Sequence, residues 1–323
     1  MLPKILRTDA ELEILEPRLH KLAGIAEVVT TPHYDEAGLM EAARDAALIL
    51  TCYAEITAKV IEAAADLKGI VKYGVGVNSI DIDTATRRGI MVANCPRYGT
   101  ETVAEHAFCL LIALARKLPK LQRLMREEAW VWPEAEHRGN DMSGKTLGLI
   151  GYGHIGRAMG RQARGFGMQL LVCDPYVSPE SAAADDVSFC SLDDLLEGAD
   201  YISVHCILTP ETRGLLGEAE FRRMKDTAYL VNVSRGPIID EAALIRALKE
   251  NRIAGAGFDV YDQEPLTPDY PLFGMDNVIL TPHLAWYTEE AFERCEDQTL
   301  ESVLDILAGK RPQNLKNTEL FDQ

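Results

Sequence analysis

Three side chains in the C-terminal half of the chain, Arg235, Glu264 and His283, could together perform acid–base chemistry on an anionic molecule. A guanidinium group binds anions, and an imidazole exchanges protons near neutral pH. All three follow predicted strands, and ligands of doubly wound sheets bind beyond the carboxyl ends of the strands. Singly, each residue has an ordinary interpretation, because loop Arg and Glu are usually solvated and a lone His is usually structural. Their shared position at strand ends weakens that interpretation and predicts a site.

A glycine-rich turn predicts a dinucleotide site. Gly151, Gly153 and Gly156 form a GxGxxG motif that follows the apolar run 145–150 and begins a helical pattern. Asp174 ends a second apolar run, 18 residues after Gly156. Such glycines allow a tight turn and close approach of the backbone to a pyrophosphate, and the acid binds the adenosine ribose. This context disfavours the alternative, a strand–turn–helix unit without a ligand.

The first 95 residues alternate short apolar runs with helical patterns, one of which begins at Thr57, a predicted N-cap. Such alternation predicts a parallel sheet covered by helices on both faces. Strands are expected at 5–6, 28–29, 47–50, 69–73 and 90–93, and the turn Gly74-Val75-Gly76 follows the fourth of them.

The alternation resumes after residue 145 and predicts a full Rossmann sheet, because six strands accompany one glycine fingerprint. A last helix is expected from Glu289 to Leu307. The six strands are expected at 145–150, 169–173, 200–206, 228–233, 255–260 and 277–281, and the helices between them at 154–166, 192–198, 218–224 and 240–250.

A long helical pattern over 101–126 precedes the second sheet, and Pro119 interrupts it. The pattern has one apolar stripe, and Phe108 and Leu111 form a second apolar side. A homodimer contact through 101–126 and a plain core helix within one chain are equally compatible with it.

Composition and charge disfavour several functions. The chain has 50 acidic and 33 basic residues, so its net charge of −17 disfavours binding to nucleic acid or to an anionic membrane. An anionic substrate stays possible beside a local Arg or Lys. No apolar run has the length of a membrane span and no signal-peptide core is present, so we expect a cytoplasmic protein. The seven cysteines contain no CxxC pair, so we expect neither a metal site nor a disulfide framework.

Several motifs resemble those of the D-isomer-specific 2-hydroxyacid dehydrogenases, in order and over nearly the whole chain. The matching segments are Val231-Asn-Val-Ser-Arg235-Gly-Pro-Ile-Ile-Asp240, Gly257-Phe-Asp259 with Glu264-Pro265, Thr281-Pro-His283, Gly74-Val-Gly76 with Asn78, Val103-Ala-Glu105-His106, and His205 with Thr209-Pro-Glu-Thr212. The resemblance implies an α/β fold of two doubly wound parallel-sheet domains. A smaller, flavodoxin-like substrate-binding (catalytic) domain would comprise 1–97 and 289–323, and a Rossmann NAD-binding domain would comprise 98–288.

The resemblance also implies hydride transfer between NAD and a 2-oxo or 2-hydroxy acid. His283 would be the general acid/base, Glu264 would orient its ring, and Arg235 would bind the substrate carboxylate and carbonyl. The N–H groups of Gly74, Val75 and Gly76 would hold the other carboxylate oxygen. The implied cofactor contacts are Gly151, Gly153, His154, Ile155, Gly156, Asp174, Cys206, Val233, Ser234 and Asp259, of which Asp259 would meet the nicotinamide carboxamide.

Asp174 bears on the choice of cofactor. It is followed by Pro175 and Tyr176, with no Arg or Lys close by. Because an acid at this point repels a 2′-phosphate, the sequence predicts NAD over NADP.

The sequence departs from the family pattern at Trp286, where many relatives have glycine, and at Ile207, where many have proline. Trp286 resembles the C-terminal-binding-protein branch and would place an indole against the substrate side chain, although a packed interdomain aromatic is an equal alternative. The leading hypothesis is a 2-oxoacid reductase. Trp286 slightly favours a second one, an NAD(H)-responsive, corepressor-like interaction protein, and a third is a formate or phosphite dehydrogenase on the same fold.

The sequence leaves the side chain of the acid open. Tyr53, Trp286 and Tyr287 could line an apolar surface, whereas Arg97 or Lys72 could recruit a second anionic group.

Overall fold

The computed structural model describes residues 2–13 and 15–321 and divides into two compact units. The first unit comprises Met1–Gly99 and Thr288–Gln323, and the second is Thr100–Tyr287. Residues 1, 14, 322 and 323 of the predicted first domain lie outside the described residues. The substrate-binding and NAD-binding roles assigned to the two domains remain predictions at this point.

The first unit is built on a parallel sheet flanked by helices. Its strands are β1 (Lys4–Arg7), β2 (Glu27–Thr30), β3 (Ala46–Thr51), β4 (Gly69–Lys72) and β5 (Met91–Ala93), and its first helices are α1 (Glu36–Ala43), α2 (Ala58–Ala63) and α3 (Ile82–Arg87). The strands lie in the order β2-β1-β3-β4-β5, and all pairs are parallel. This is the flavodoxin-like order, which confirms the predicted fold class. The strand β3 is buried over its full length, as expected for a sheet covered on both faces.

Side-chain caps begin the helices that follow these strands. The Thr57 hydroxyl accepts a hydrogen bond from the Val60 N–H at 3.5 Å, which confirms the predicted N-cap. Asp35 and Asp81 cap α1 and α3 through bonds of 2.8 Å. Because a cap satisfies a backbone donor that the helix cannot, it determines where each helix begins.

The second unit contains a larger parallel sheet, in the Rossmann order with one added strand. Its helices are α4 (Thr100–Ala115), α5 (Leu118–Glu128), α6 (His154–Gly165), α7 (Leu192–Gly198), α8 (Glu218–Arg223) and α9 (Glu241–Lys249), and its strands are β6 (Thr146–Ile150), β7 (Gln169–Cys173), β8 (Ser188–Phe189), β9 (Tyr201–Val204), β10 (Tyr229–Asn232), β11 (Gly255–Phe258) and β12 (Val278–Leu280). The strand order is β12-β11-β10-β9-β6-β7-β8. All six predicted strands are present. The sequence missed β8, because two residues are too few to form an apolar pattern.

The predicted long helix is divided into two helices. α4 ends at Ala115, Lys117 turns the chain with a φ of 52°, and Pro119 lies in the first turn of α5. A proline lacks the N–H that would continue the preceding helix. Ala107 and Leu111 of α4 are fully buried in the core of the second unit, so α4 is a core helix. None of the described residues of α5 is buried, and the homodimer contact remains a prediction.

The C-terminal helix α10 (Glu289–Leu307) belongs to the first unit, where it packs against β3 and β4. Gly69 permits this packing, since a Cβ at that position would lie 2.7 Å from the side chain of Ile306. Among the helices that the structure describes, none is long and apolar enough to cross a bilayer.

Candidate active site

An imidazole–carboxylate pair lies at the carboxyl edge of the second sheet. His283 follows β12, Glu264 lies in the loop after β11, and His283 Nδ1 is 2.6 Å from Glu264 Oε2. The N–H of Tyr261 donates to Glu264 Oε1 at 2.9 Å and holds the carboxylate from its other side. Because Nδ1 faces a carboxylate, it carries the proton of this bond, and Nε2 is the atom that can act on another molecule.

The electrostatic surroundings keep the Glu264 carboxylate ionised. Burial raises the pKa of this carboxyl, but the hydrogen bond and charge of His283, the Tyr261 N–H and the charge of Arg235 outweigh burial. The pKa of Glu264 therefore lies below its ordinary value.

Arg235 belongs to the same charged cluster and follows β10. The buried side chain of Asn232 shapes its turn, since Asn232 Oδ1 accepts from the Ser234 N–H and Asn232 Nδ2 donates to the Arg235 carbonyl, both at 2.9 Å. Arg235 Nη1 donates to the Ser234 carbonyl at 2.6 Å. The guanidinium is thus placed by its own strand end.

Gly236 brings the Arg235 turn against the Glu264 loop. A Cβ at Gly236 would lie 1.9 Å from the carbonyl carbon of Tyr261, which leaves room only for glycine. Since Tyr261 also binds Glu264, this close approach joins two neighbouring strand ends into one site.

A second histidine at a strand end lies in different surroundings. His205 follows β9, and its Nε2 pairs with Ser203 Oγ at 2.8 Å. Burial lowers the pKa of His205 to about 3, so its ring is neutral at neutral pH. Of these two histidines, His283 is the one paired with a carboxylate.

The three fingerprint glycines occupy different surroundings. A Cβ at Gly151, where φ is 95°, would lie 2.4 Å from the Cys206 nitrogen, and a Cβ at Gly156 would lie 2.4 Å from the Gly151 carbonyl oxygen. Gly153 has open space instead and is the N-cap of α6, without a side-chain cap. The first-turn N–H groups of α6 therefore face space that suits a pyrophosphate. NAD fits this turn.

Asp174 lies at the end of β7, where the fingerprint predicts the ribose contact. Its Oδ2 accepts from the Tyr152 N–H at 2.7 Å, and its Oδ1 accepts from the N–H groups of Tyr176 and Val177 at 2.8 and 3.2 Å. Since each carboxylate oxygen has two lone pairs, Oδ2 retains one for a further donor. The role as ribose acceptor remains a prediction that this geometry permits.

Comparison with known proteins identifies the family. Residues 108–285 match the model of the D-isomer specific 2-hydroxyacid dehydrogenase, NAD binding domain. The chain belongs to this family. It is an NAD-binding oxidoreductase of the 2-hydroxyacid dehydrogenase type, as the sequence motifs predicted.

Similar proteins within the family carry different substrate names. The glyoxylate reductase of Korarchaeum cryptofilum is 44% identical over 267 residues, which cover 82% of this chain and 80% of that protein. The D-3-phosphoglycerate dehydrogenase of Archaeoglobus fulgidus is 39% identical over 294 residues, which cover 91% of this chain but 55% of that protein, so this chain spans about half its length. A solved D-lactate dehydrogenase from Aquifex aeolicus, complexed with NAD and lactic acid, has a TM-score of 0.85 at 28% identity and covers 98% of this chain and 97% of its own.

The remaining predicted cofactor residues of this dehydrogenase also lie in the second unit. His154 and Ile155 are the first residues of α6, and the Ile155 side chain packs against the core. Val233 is buried, and Ser234 Oγ donates to the Val204 carbonyl at 3.0 Å. These contacts tie the end of β10 to that of β9.

Asp259, the predicted partner of the carboxamide, is 1% exposed and already has several protein partners. Its Oδ1 accepts from the Thr281 hydroxyl at 2.6 Å and from the Leu284 N–H at 2.9 Å, and its Oδ2 accepts from the Ala285 N–H at 2.8 Å. Only Oδ2 retains a lone pair for a cofactor amide. The sequence had not indicated the bonds of Asp259 to the His283 loop.

The predicted substrate turn Gly74-Val75-Gly76 lies in the first unit, whereas Arg235 and Trp286 lie in the second. The Gly74 and Val75 carbonyls accept from the Cys95 N–H at 2.9 Å and from Asn94 Nδ2 at 2.6 Å, which shapes the turn. Trp286 is buried, and its ring meets that of Tyr287 edge to face at 5.0 Å. Its contact with a substrate remains a prediction.

The sequence motifs indicate no role for Asn232, Tyr261 or Thr281, although these residues shape the site. Asn232 lies at a strand end and is fully buried, which is unusual for an amide. A polar residue at the end of an otherwise apolar strand is the signal that could have indicated it.

Proposed function

We propose that this dehydrogenase reduces a 2-oxo acid to a D-2-hydroxy acid, with His283 as the general acid and NADH as cofactor. The observation that supports this proposal is the 2.6 Å contact between His283 and an ionised Glu264 beside Arg235. When bound, NADH supplies a hydride to the carbonyl carbon of the acid. The chain must therefore supply a proton and hold the acid.

His283 and Glu264 provide the proton. His283 Nε2 would donate a proton to the carbonyl oxygen, which together with the hydride from NADH would convert the carbonyl to the alcohol. Glu264 holds the ring through Nδ1 and stabilises its protonated form. In the reverse direction Nε2 accepts the hydroxyl proton.

Arg235 would bind the substrate. Its planar guanidinium can bind the carboxylate and the carbonyl oxygen together, which orients the acid and polarises the C=O bond. The N–H groups of Gly74, Val75 and Gly76 would hold the second carboxylate oxygen.

The adenosine end would select NAD over NADP. The negative charge of Asp174 repels a 2′-phosphate, while its free lone pair on Oδ2 suits a ribose hydroxyl. Rates measured side by side with NADH and NADPH test this selection, and an NADPH preference above tenfold would contradict it.

The substrate is tested with a panel of 2-oxo acids, comprising glyoxylate, hydroxypyruvate, phenylpyruvate and 4-methylthio-2-oxobutyrate, and NADH oxidation is followed by absorbance. Chiral analysis of the product tests the D configuration.

Because Arg235 would be the substrate's principal cation, Arg235→Ala should lower kcat/KM at least 100-fold and leave NADH binding within threefold. Arg213→Ala, a change outside the predicted site, is the matched control. Retained activity in Arg235→Ala would remove its assigned role.

The two other hypotheses have distinct outcomes in the same experiments. An NAD(H)-responsive interaction protein would oxidise no NADH with any acid of the panel and would capture a peptide partner only with NAD(H) present. A formate or phosphite dehydrogenase would reduce NAD⁺ with formate or phosphite. We favour the 2-oxoacid reductase because Arg235, Glu264 and His283 lie together in one charged cluster.

A further inference from the structure

The loop that carries His283 is held by a chain of polar contacts that begins on α4. We propose that His106 and Thr281 are positioning residues, which orient Asp259 so that it keeps the His283 loop in its observed conformation. This inference rests on the proposed function, since it takes His283 as the acid/base of the reaction.

The backbone of His283 has a conformation that needs support. Its φ of 55° lies in the left-handed region, which is unfavourable for a residue with a side chain. Such conformations persist where the surroundings determine them from several sides. The next two N–H groups, of Leu284 and Ala285, both donate to the Asp259 carboxylate, at 2.9 and 2.8 Å. Asp259 therefore holds the chain directly after His283.

The Thr281 hydroxyl orients this carboxylate. It lies 2.6 Å from Asp259 Oδ1 and 3.3 Å from the Phe258 carbonyl oxygen, and both atoms accept, so the single hydroxyl proton goes to the nearer acceptor, Asp259. His106 Nε2 lies 3.0 Å from the same hydroxyl oxygen and must therefore donate its N–H to it. The same Nε2 is 3.8 Å from Asp259 Oδ1, so its polar N–H also faces the carboxylate. The order of donation is thus His106 to Thr281 to Asp259.

Because of Tyr261, the polar contacts from His106 to Asp259 can be tested without changing the fold of the loop. Its hydroxyl donates to the Thr281 carbonyl at 2.8 Å, which holds the Thr281 backbone independently of the Thr281 side chain. Removing the Thr281 hydroxyl should therefore disturb the orientation of Asp259 more than the course of the chain. A change in catalysis without a loss of stability is the expected result.

Thr281→Val and Thr281→Ser are the matched pair that tests the inference. The valine keeps the shape and removes the hydroxyl, so kcat should fall at least tenfold, a larger factor than the accompanying rise in the Kd for NADH, measured by fluorescence. The serine restores the hydroxyl and should recover kcat to within threefold of the wild type. An equal loss in both variants, or a full kcat in Thr281→Val, would overturn the proposal.

His106 gives a second, independent pair. His106→Leu should lower kcat in the same direction, and His106→Gln should recover most of it, because the glutamine Nε2 can donate from nearly the same place. Cys109→Ala, on an exposed position of the same helix, is the control and should have no effect. This pair decides the question if Thr281→Val does not fold.

Hydrogen exchange supplies a measurement that does not depend on catalysis. In Thr281→Val the amides of Leu284 and Ala285 should exchange at least tenfold faster than in Thr281→Ser. If the wild-type protein reduces no 2-oxo acid, the proposed function fails, while this exchange still tests the contacts. Unchanged exchange in an active protein would refute the positioning role alone.

Discussion

The pKa of Glu264 determines the pH below which its pair with His283 is lost. Its pKa in the folded protein lies below the ordinary value, because the interactions with His283, Tyr261 and Arg235 outweigh the effect of burial. A carboxyl with a lowered pKa in the folded state contributes stability above its unfolded pKa, and this contribution is lost as the pH falls through the folded pKa. The pair with His283 is thus intact at neutral pH and disappears only in acid.

Glu264→Gln should show both effects. The variant loses a charge-assisted hydrogen bond, worth about 1.5–3 kcal/mol, so kcat should fall roughly tenfold to a hundredfold at neutral pH. The wild type should be more stable than the variant near pH 7, and this difference in free energy of unfolding should narrow as the pH falls through the folded pKa of Glu264. Urea unfolding from pH 7 to pH 3 measures it.

The control for this comparison is Glu250→Gln, at an exposed acid of the same unit that pairs with Arg252. It should leave kcat unchanged. A stability difference between the wild type and Glu264→Gln that grows in acid would contradict the lowered pKa.

At the scale of elements, the turn between β6 and α6 combines two requirements in three glycines. Gly151 and Gly156 permit backbone segments to approach each other, whereas Gly153 leaves open space at the start of α6. The first requirement belongs to the fold and the second to the ligand. Substitution by alanine can therefore separate them.

Gly156→Ala should lower both stability and NADH affinity, because its Cβ would lie 2.4 Å from the Gly151 carbonyl oxygen and the backbone must shift. A cost of about 1–3 kcal/mol is expected for such overpacking.

Gly153→Ala should keep the Tm within a few degrees and weaken NADH binding at least tenfold, since its Cβ would enter the pyrophosphate space. Gly165→Ala, with no atom within 4 Å of its Cβ, is the control. Unchanged NADH affinity in Gly153→Ala would contradict the assigned pyrophosphate site.

At the scale of the whole molecule, α5 and the segment after it expose several large apolar side chains. Leu118, Met125, Trp130 and Trp132 are 51, 42, 64 and 73% exposed. Apolar patches of this kind often mark interfaces between proteins. They are consistent with the predicted homodimer through 101–126, which we retain as a proposal. In this proposal α5 forms the contact between the two copies, and the buried α4 does not.

Light scattering coupled to gel filtration should give a mass of about twice 35.7 kDa for the wild type. Leu118→Glu combined with Met125→Glu should give the single-chain mass, because charges would be buried in the contact. Leu2→Glu, at a residue of the other unit that is 48% exposed, should leave the mass unchanged. A single-chain mass for the wild type would refute the dimer.

Much of this molecule could be predicted from particular residues. The apolar runs predicted all six longer strands of the second sheet, and the glycine motif placed the turn before α6, because both signals are local. The two-residue strand β8 was missed because it has no such local signal. Its assignment depends on its pairing with the neighbouring strand β7 and not on its own composition. The break between α4 and α5 was indicated by Pro119, which acts within a single turn.

The amino-acid sequence by itself determined the family, the succession of two parallel sheets along the chain and the residue types of the site. Motifs and periodicity carry this information because they are properties of neighbouring residues. Only the tertiary structure decided which partners these residues have. It placed Glu264 on His283 Nδ1, lowered the pKa of His205 by burial, and bound Asp259 to Thr281. Protonation and orientation depend on burial and on contacts between distant segments, and these exist only once the strand ends meet at one edge of the sheet.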